Sequence, residues 1–318
     1  MYANLDPVQD FTCCLCCKRD NPNFELCDRR FSCKSYWFYN IVASVLHLLN
    51  AVLMVVLFYI PDEDGVTQKD VCYQLYMPYA SWTPVNGTDE FVITQKAVDT
   101  HTLSLHWLIV GFHALSFVFQ IVVIFLDPKS SCKIKACVDY EYQDLVEKQN
   151  INPLRFVEYA ISASIMLVCI ALLTGIRNEN EIISIAVLCT VCQLAGLIAE
   201  ISQNRMVRII AHATGWLSLM VSYGIIWLYY GIANYQGGLM DPPRSAPDIV
   251  HVVVIVLFLL FNSFGAIQLT QLCCRSGRWW TYVAKESELS YVFLSLVAKT
   301  LLGWLIYSNV LVMARECL

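Results

Sequence analysis

Residues 289–313, LSYVFLSLVAKTLLGWLIYSNVLVM, form a mostly apolar run with a single charged side chain, Lys299. A helix of this length spans roughly 37 Å at about 1.5 Å per residue, which exceeds the roughly 30 Å hydrocarbon core of a bilayer. Lys299 lies ten residues into the run, too deep for its amine to reach either interface easily. Because an ionised side chain at that depth costs about 2.5–3.5 kcal/mol, the stretch predicts a transmembrane helix whose lysine has a partner or a function.

Further apolar runs of transmembrane length occur along the chain, and together they predict an all-α membrane protein built as a seven-transmembrane-helix bundle. The seven predicted spans are Tyr36–Ile60, Leu103–Leu126, Pro153–Ile176, Ile182–Ile201, Ile209–Ala233, Ile249–Leu272 and Leu289–Met313. The fourth run is short, so a re-entrant hairpin is an alternative there.

The composition excludes several classes of function. Apolar residues make up 57% of the 318 residues and charged residues only 15%, against about 25% charged residues in soluble domains. A soluble enzyme is therefore excluded, and we predict no enzymatic activity. The net charge of -5 provides no basic surplus for nucleic acid.

Basic residues are distributed unevenly between the two sides of the predicted bundle. Of the 21 Lys and Arg residues, 14 lie on the side of the N-terminus and five on the other side. The positive-inside rule then places the N-terminus in the cytoplasm and the C-terminus outside. We expect a cytoplasmic Cys-rich segment, 1–34, followed by a seven-helix domain, 35–318. The polar start of the chain has no apolar core of a secretory signal, so we expect the first span to direct insertion.

The first outside loop, residues 61–102, contains aromatic and β-branched runs separated by a Pro84-Val85-Asn86-Gly87 turn signal. This pattern predicts a β-hairpin. Asn86-Gly87-Thr88 is also a sequon, which makes Asn86 a possible N-glycosylation site and agrees with an outside location.

A second ionisable group, Glu158, lies near the start of the third span, with Arg155 one helical turn before it. Arg155, Glu158, Ser162 and Met166 share one face of that helix, and Ser295 lies one turn before Lys299 in the seventh. Because the third and seventh spans run in the same direction, Glu158, Ser295 and Lys299 can share one hydrogen-bond network. Lys299 is then either a structural ion-pair partner or a desolvated amine that forms an imine with an aldehyde.

The strings RFVEYAISASIM (155–166), FNSFGAIQL (261–269) and ELSYVFLSLVAKTLLGWLIY (288–307) resemble heliorhodopsin, a retinal-binding family with this inverted membrane orientation. The resemblance covers all seven spans. It implies that all-trans-retinal forms a protonated Schiff base on Lys299, that Glu158 is the counterion and that Ser295 hydrogen-bonds near them. The cytoplasmic segments 1–34 and 127–152 are more elaborate than the short connectors of the family.

The resemblance also implies a cytoplasmic-side polar network with histidines of the first two helices, here His47 and His113, although a buried His is often only a packed core residue. We add Arg155 and Glu200 to this candidate proton network. Glu200 lies near the end of the fourth span, where it is either a proton relay or, as its position favours, an interfacial cap residue. The pocket wall is expected to be apolar and aromatic, although such a stripe is also typical of bundle packing. The expected wall residues are Met166, Trp216, Tyr223, Phe261 and Phe264.

Two outputs agree with this chemistry. The first is a light-sensing photoreceptor with a slow signalling photocycle and an unidentified cytoplasmic partner. The second is a light-activated proton conductor or channel, which requires a continuous titratable path. Few polar side chains occur in the outside halves of the third and seventh spans, which favours the first. A receptor or scaffold without retinal would leave Lys299 unexplained. The resemblance further implies a homodimer in a cellular membrane, surrounded by lipid.

Six of the 15 Cys precede the first span: Cys13, Cys14, Cys16, Cys17, Cys27 and Cys33. Their spacing is too irregular for a defined zinc finger, so we predict no metal site and favour palmitoylation, also at Cys273 and Cys274 beside Arg275. Cys169, Cys189 and Cys192 lie within spans and are expected to pack as small apolar groups. Cys72 and Cys317 are the candidates for an outside disulfide.

Overall fold

The computed structural model describes residues 33–61, 72–84, 91–126, 146, 151–240, 246, 248–274 and 280–308. Within these ranges seven helices are long and apolar enough to cross a membrane, and a two-stranded sheet lies between the first two. The helices are α1 (Cys33–Tyr59), α2 (Leu105–Leu126), α3 (Pro153–Leu173), α4 (Glu179–Ile201), α5 (Arg205–Gly238), α6 (Asp248–Cys273) and α7 (Trp280–Ile306). The strands are β1 (Cys72–Pro84) and β2 (Phe91–Ser104).

The seven-helix prediction is confirmed. The fourth span is a continuous helix rather than a re-entrant hairpin. The clearest difference is at α7, which begins at Trp280, nine residues before the predicted Leu289. The apolar run marks only the membrane-embedded part of a helix, and α7 continues through the polar residues that precede it.

Local sequence explains where the helices begin and end. Asn152 caps α3 by accepting the Arg155 N–H, and proline follows it in the first turn. Asn178 and Asn204 cap α4 and α5 in the same way, since an Asn side chain satisfies N–H groups that have no partner within the helix. The chain leaves α3 at Gly175, whose φ of 89° favours glycine.

The helices form a closed ring in which each packs against its neighbours in the chain and α7 returns to α1. The third helix is the most enclosed, because 72% of its span is buried, against 28–39% in the other six. Large apolar side chains such as Leu217 and Phe293 are about two-thirds exposed on the outer surface, as expected for residues that face lipid. The polar residues carried by α3 therefore lie in the centre of the bundle.

The predicted hairpin is also confirmed. β1 and β2 pair antiparallel from Cys72–Ser104 to Pro84–Phe91, with an irregularity between Gln74 and Tyr76. Tyr76 N–H donates to Arg177 O at 3.0 Å, and the Arg177 guanidinium stacks on the Tyr73 ring at 3.8 Å. Burial raises the pKa of Tyr73. These contacts fix the hairpin over the end of the bundle where α3 ends and α4 begins, which we call the hairpin end.

Candidate functional site

Lys299, Glu158 and Ser116 form a buried polar group in the middle of the bundle. Lys299 Nζ lies 2.7 Å from Glu158 Oε1, and Lys299 and Glu158 are 2% and 7% exposed. Ser116 Oγ donates to the same carboxylate oxygen at 2.6 Å and also accepts from Lys299 Nζ. The structure thus joins the two charges singled out in the sequence, because α3 and α7 bring them to one height.

Ser116, on α2, was missed by the sequence analysis. A serine in an apolar helix is common, and nothing local distinguishes it from its neighbours. One available signal was its spacing of three residues from His113, which places both side chains on one face of α2. Ser295 was expected in this network, but its Oγ has no hydrogen-bond partner among the described residues.

A cavity lies beside Lys299 between α3, α4, α5, α6 and α7. The predicted residues that line it are Lys299, Ser295, Ser162, Met166, Trp216, Phe261 and Phe264, together with Arg155. Tyr223 is not among the lining residues. It packs behind them, edge-on to Phe258 and Phe261 with ring centroids 5.0 and 5.8 Å away.

The cavity wall carries buried polar atoms that have no partner among the described residues. They are Ser162 Oγ, Ser295 Oγ and Trp216 Nε1. One wall is shaped by Gly265, where an added Cβ would lie 2.5 Å from Trp216 Nε1. The wall therefore combines an aromatic surface with a few polar atoms beside a buried amine, which suits an apolar aldehyde such as retinal.

The two predicted network histidines contact each other. His47 Nδ1 and His113 Nδ1 are 3.1 Å apart, and both side chains are fully buried. A Cβ added at Gly303, one turn beyond Lys299 in α7, would lie 3.3 Å from His113 Nε2. The pair therefore lies on the hairpin side of Lys299, opposite to Arg155. The expected placement on the Arg155 side was wrong, because α2 runs antiparallel to α7 and residues early in α2 lie near the hairpin.

Arg155 belongs to a second buried group, with Glu200 from α4 and Glu288 from α7. Its guanidinium donates to one oxygen of each carboxylate. Glu200 is 2% exposed, so it is not the interfacial cap residue that its position favoured. Glu288 was missed, because it lies at the edge of the apolar run and resembles an ordinary helix-end charge.

The predicted modification sites lie at the edges of the described structure. Cys72 is disulfide-bonded, but Cys317 lies outside the described residues, so their pairing stays a prediction. Asn86 and the cysteines before Cys33 also lie outside them. Cys273 is exposed whereas Cys274 is buried, so Cys273 is the more accessible thiol for acylation.

The cysteines within spans pack as expected: Cys169 and Cys189 are fully buried in the core and Cys192 is half-buried. Among the described residues, no group of three or more His, Cys, Asp or Glu side chains could hold a metal ion.

Comparison with solved structures shows a rhodopsin fold. A thermophilic rhodopsin from Rubrobacter xylanophilus superposes with a TM-score of 0.53 at 13% identity, covering 86% of this chain and 95% of that one. The transmembrane domain and linker region of Salpingoeca rosetta rhodopsin phosphodiesterase superposes with a TM-score of 0.54 at 11% identity, covering 89% of this chain and 83% of that one. A light-driven proton pump from Leptosphaeria maculans superposes with a TM-score of 0.50 at 12% identity, covering 86% of this chain and 94% of that one.

No curated protein matches the sequence. The heliorhodopsin family profile, by contrast, matches residues 36–311. This range includes every helix that carries the buried lysine, its carboxylate partner and the cavity. The chain therefore belongs to the heliorhodopsin family of retinal-binding membrane photoreceptors.

Proposed function

We propose that this chain is a light-sensing receptor in which all-trans-retinal occupies the central cavity in a Schiff-base linkage to Lys299. The observation that carries the proposal is the Lys299–Glu158 pair, 2.7 Å apart and buried beside a cavity with an aromatic wall. When bound, retinal would supply absorption of visible light and isomerisation about a double bond. The remaining roles belong to residues of this chain.

Glu158 is the proposed counterion. A carboxylate this close to a positively charged nitrogen stabilises its protonated form, and the low dielectric of the bundle strengthens the attraction. Ser116 fixes the carboxylate by donating to the same oxygen that faces Lys299 Nζ. Weakening of its contacts with Glu158 and Ser116 would lower the proton affinity of the nitrogen, so that its proton passes to Glu158 or to the His47–His113 pair.

The aromatic residues Trp216, Phe261 and Phe264, with Met166, are proposed to form the wall against the apolar chain of the ligand. Ser162 and Ser295 would provide polar contacts near its attachment point, since both hydroxyls are buried without a partner in the described structure. Gly265 allows Trp216 to approach closely, because any larger residue would meet the indole nitrogen.

Signalling is favoured over conduction by the packing of the hairpin half of the bundle. The layer beyond the His47–His113 pair contains Met54, Phe58, Leu105, Ile109, Phe112, Leu302 and Ile306, all 1% exposed or less. Apart from His106, the described residues offer few titratable side chains there for protons to follow. A proton released from Lys299 would therefore remain within the protein, and the output would be a shape change passed to a cytoplasmic partner.

Conduction remains the second candidate, because a polar route does exist in the other half of the bundle. A second cavity, between Glu158 and Glu288, is lined by Asn40, Gln120, Asn152 and Arg155 together with apolar side chains. Photocurrents in voltage-clamped membranes would favour conduction if they disappear in Glu200→Gln. Light-induced absorption changes without any current would support the receptor.

We further propose a cytoplasmic N-terminus and a homodimer. The hairpin beyond Met77 exposes apolar side chains on both faces, with Trp82, Ile93 and Val98 each more than half exposed. A two-stranded hairpin is marginally stable alone, so contact with a second copy would stabilise it. Glycosidase-sensitive modification at Asn86 would support the orientation, and an unmodified Asn86 with a modified N-terminal tag sequon would contradict it. Trp82→Ser should shift the dimer towards monomer, and an unchanged assembly would exclude the hairpin as its interface.

The proposed function is tested by the absorption spectrum of the protein reconstituted with all-trans-retinal. The parent should show a visible band that Lys299→Ala loses completely. Lys96→Ala is a matched control, because Lys96 lies on the exposed hairpin and its loss should leave the band unchanged. A visible band that persists in Lys299→Ala would contradict the proposal.

A further inference from the structure

The buried group of Arg155, Glu200 and Glu288 contains more acid than base. The three side chains are 5%, 2% and 2% exposed, and one guanidinium faces two carboxyl groups. An arginine side chain stays charged in proteins, so the group can supply only one positive charge. With both carboxyls ionised, the group would carry one uncompensated negative charge inside the bundle.

The surroundings of the group do not supply a second cation among the described residues. The Arg155 guanidinium lies over the rings of Tyr291 and Phe156, at 3.9 and 4.8 Å, and Tyr159 lies on the next turn of α3. The other buried amine, Lys299, is paired with Glu158. On α5 and α6, His212 and Gln268 of the cavity wall hydrogen-bond each other at 3.0 Å.

Asn152 connects the two carboxyl groups. Its backbone N–H donates to Glu200 Oε2 at 3.2 Å, and its side-chain Nδ2 donates to Glu288 Oε2 at 2.8 Å. Each carboxyl is thus held between Arg155 and Asn152, which fixes two like charges close together. Where two carboxyls share one site in a low dielectric, ionisation of the first disfavours ionisation of the second, and the remaining proton belongs to the pair rather than to either residue.

We propose that Glu200 and Glu288 share one proton in the dark, which makes the Arg155 group neutral and gives the protein a proton store separate from Lys299. The second cavity contacts both Glu158 and Glu288, and its wall includes Asn40 and Gln120. Gln120 Oε1 is buried there with no partner in the described structure. A water bound by these polar side chains would link the stored proton to the Glu158 carboxylate. The inference goes beyond the proposed function, since it needs no chromophore.

Infrared spectroscopy of the full-length, retinal-free protein in lipid at neutral pH tests the assignment. The parent should show a carboxylic-acid C=O band that shifts in D₂O. Glu200→Gln and Glu288→Gln should each lose that band completely, because one remaining carboxylate forms a neutral pair with Arg155. Glu158→Gln and Glu181→Gln should keep it, since Glu158 pairs with Lys299 and Glu181 accepts from Tyr229 near the hairpin end.

A band that survives in either Glu200→Gln or Glu288→Gln, or that is absent from the parent, would overturn the shared proton. If those variants do not fold, Asn152→Ala tests the proposal instead, because it keeps both carboxyls and removes the side-chain donor to Glu288. The C=O band should then change frequency, and an unchanged band would contradict the proposal. These measurements use the retinal-free protein, so they remain valid even if the protein fails to bind retinal.

Discussion

The two buried ionic groups of this protein differ in charge balance and in the type of base they contain. Lys299 faces one carboxylate, Glu158, whereas Arg155 faces two, Glu200 and Glu288. A lysine amine can lose its proton when desolvated and then react, whereas an arginine guanidinium cannot. The comparison indicates that the lysine group is suited to covalent chemistry. The arginine group is suited to joining three helices by ion pairs and to retaining a proton.

Removing the arginine should have the largest effect on stability. Arg155→Gln leaves two buried carboxyl groups without a cation, so we expect a loss of about 5 kcal/mol in the free energy of unfolding, the upper end for a broken buried ion pair. Chemical unfolding in detergent would measure it. Arg177→Gln is the matched control, because Arg177 is only half-buried and stacks on Tyr73. Equal losses in the two variants would contradict the structural role of the Arg155 group.

Removing the carboxylate of the lysine group should cost less. Glu158→Gln leaves one buried amine that can become neutral, so we expect a loss of about 3 kcal/mol, the lower end of the same range. In the retinal-loaded protein, the visible band should weaken at neutral pH and move to longer wavelength, because the counter-charge is gone. Glu181→Gln should leave the band in place. An unchanged spectrum in Glu158→Gln would show that another group is the counterion.

A larger residue in the cavity wall should weaken ligand binding without disturbing either ionic group. An added Cβ at Gly265 lies 2.5 Å from Trp216 Nε1, so Gly265→Ala should cost about 2 kcal/mol through overpacking. Retinal uptake, measured as growth of the visible band, should decrease. The infrared band of Glu200 and Glu288 should persist. Gly224→Ala is the control, since an added Cβ there meets nothing within 4 Å. Equal uptake in both variants would exclude this wall from the binding site.

The smallest effect is expected at the hydroxyl that joins Lys299 to Glu158. Ser116→Ala removes one donor to the carboxylate and one acceptor for the amine, so we expect a loss of about 1.5 kcal/mol and a shift of the visible band. Ser162→Ala should change stability by less than about 0.5 kcal/mol, because its buried Oγ has no partner in the described structure. A larger loss of stability in Ser162→Ala than in Ser116→Ala would contradict the role assigned to the Ser116 hydroxyl.

The sequence predicted the bundle well because length and apolar content are properties of single segments. All seven spans could be located, and Lys299 stood out as the one charge in its run. The hairpin was predictable for a similar reason, since its turn signal and strand pattern are local. The start of α7 at Trp280 was not, because a helix can continue beyond the membrane without an apolar pattern.

The polar partners were harder to predict because they depend on which helices meet. Ser116 and Glu288 have no local signal, and their roles follow from the contacts of α2 and α7 with α3. Glu200 looked interfacial because it lies near a helix end, but the enclosing helices bury it. The side of Lys299 on which His47 and His113 lie depends on helix heights, which one sequence does not contain.

Mass spectrometry of the retinal-loaded protein after borohydride reduction can locate the proposed Schiff base directly. The reduction converts the linkage into a stable retinyl amine, so its position can be assigned to a single peptide. We expect the retinyl group on Lys299 and on no other lysine. A retinyl group on an exposed lysine such as Lys96, or none at all in protein that shows a visible band, would contradict it.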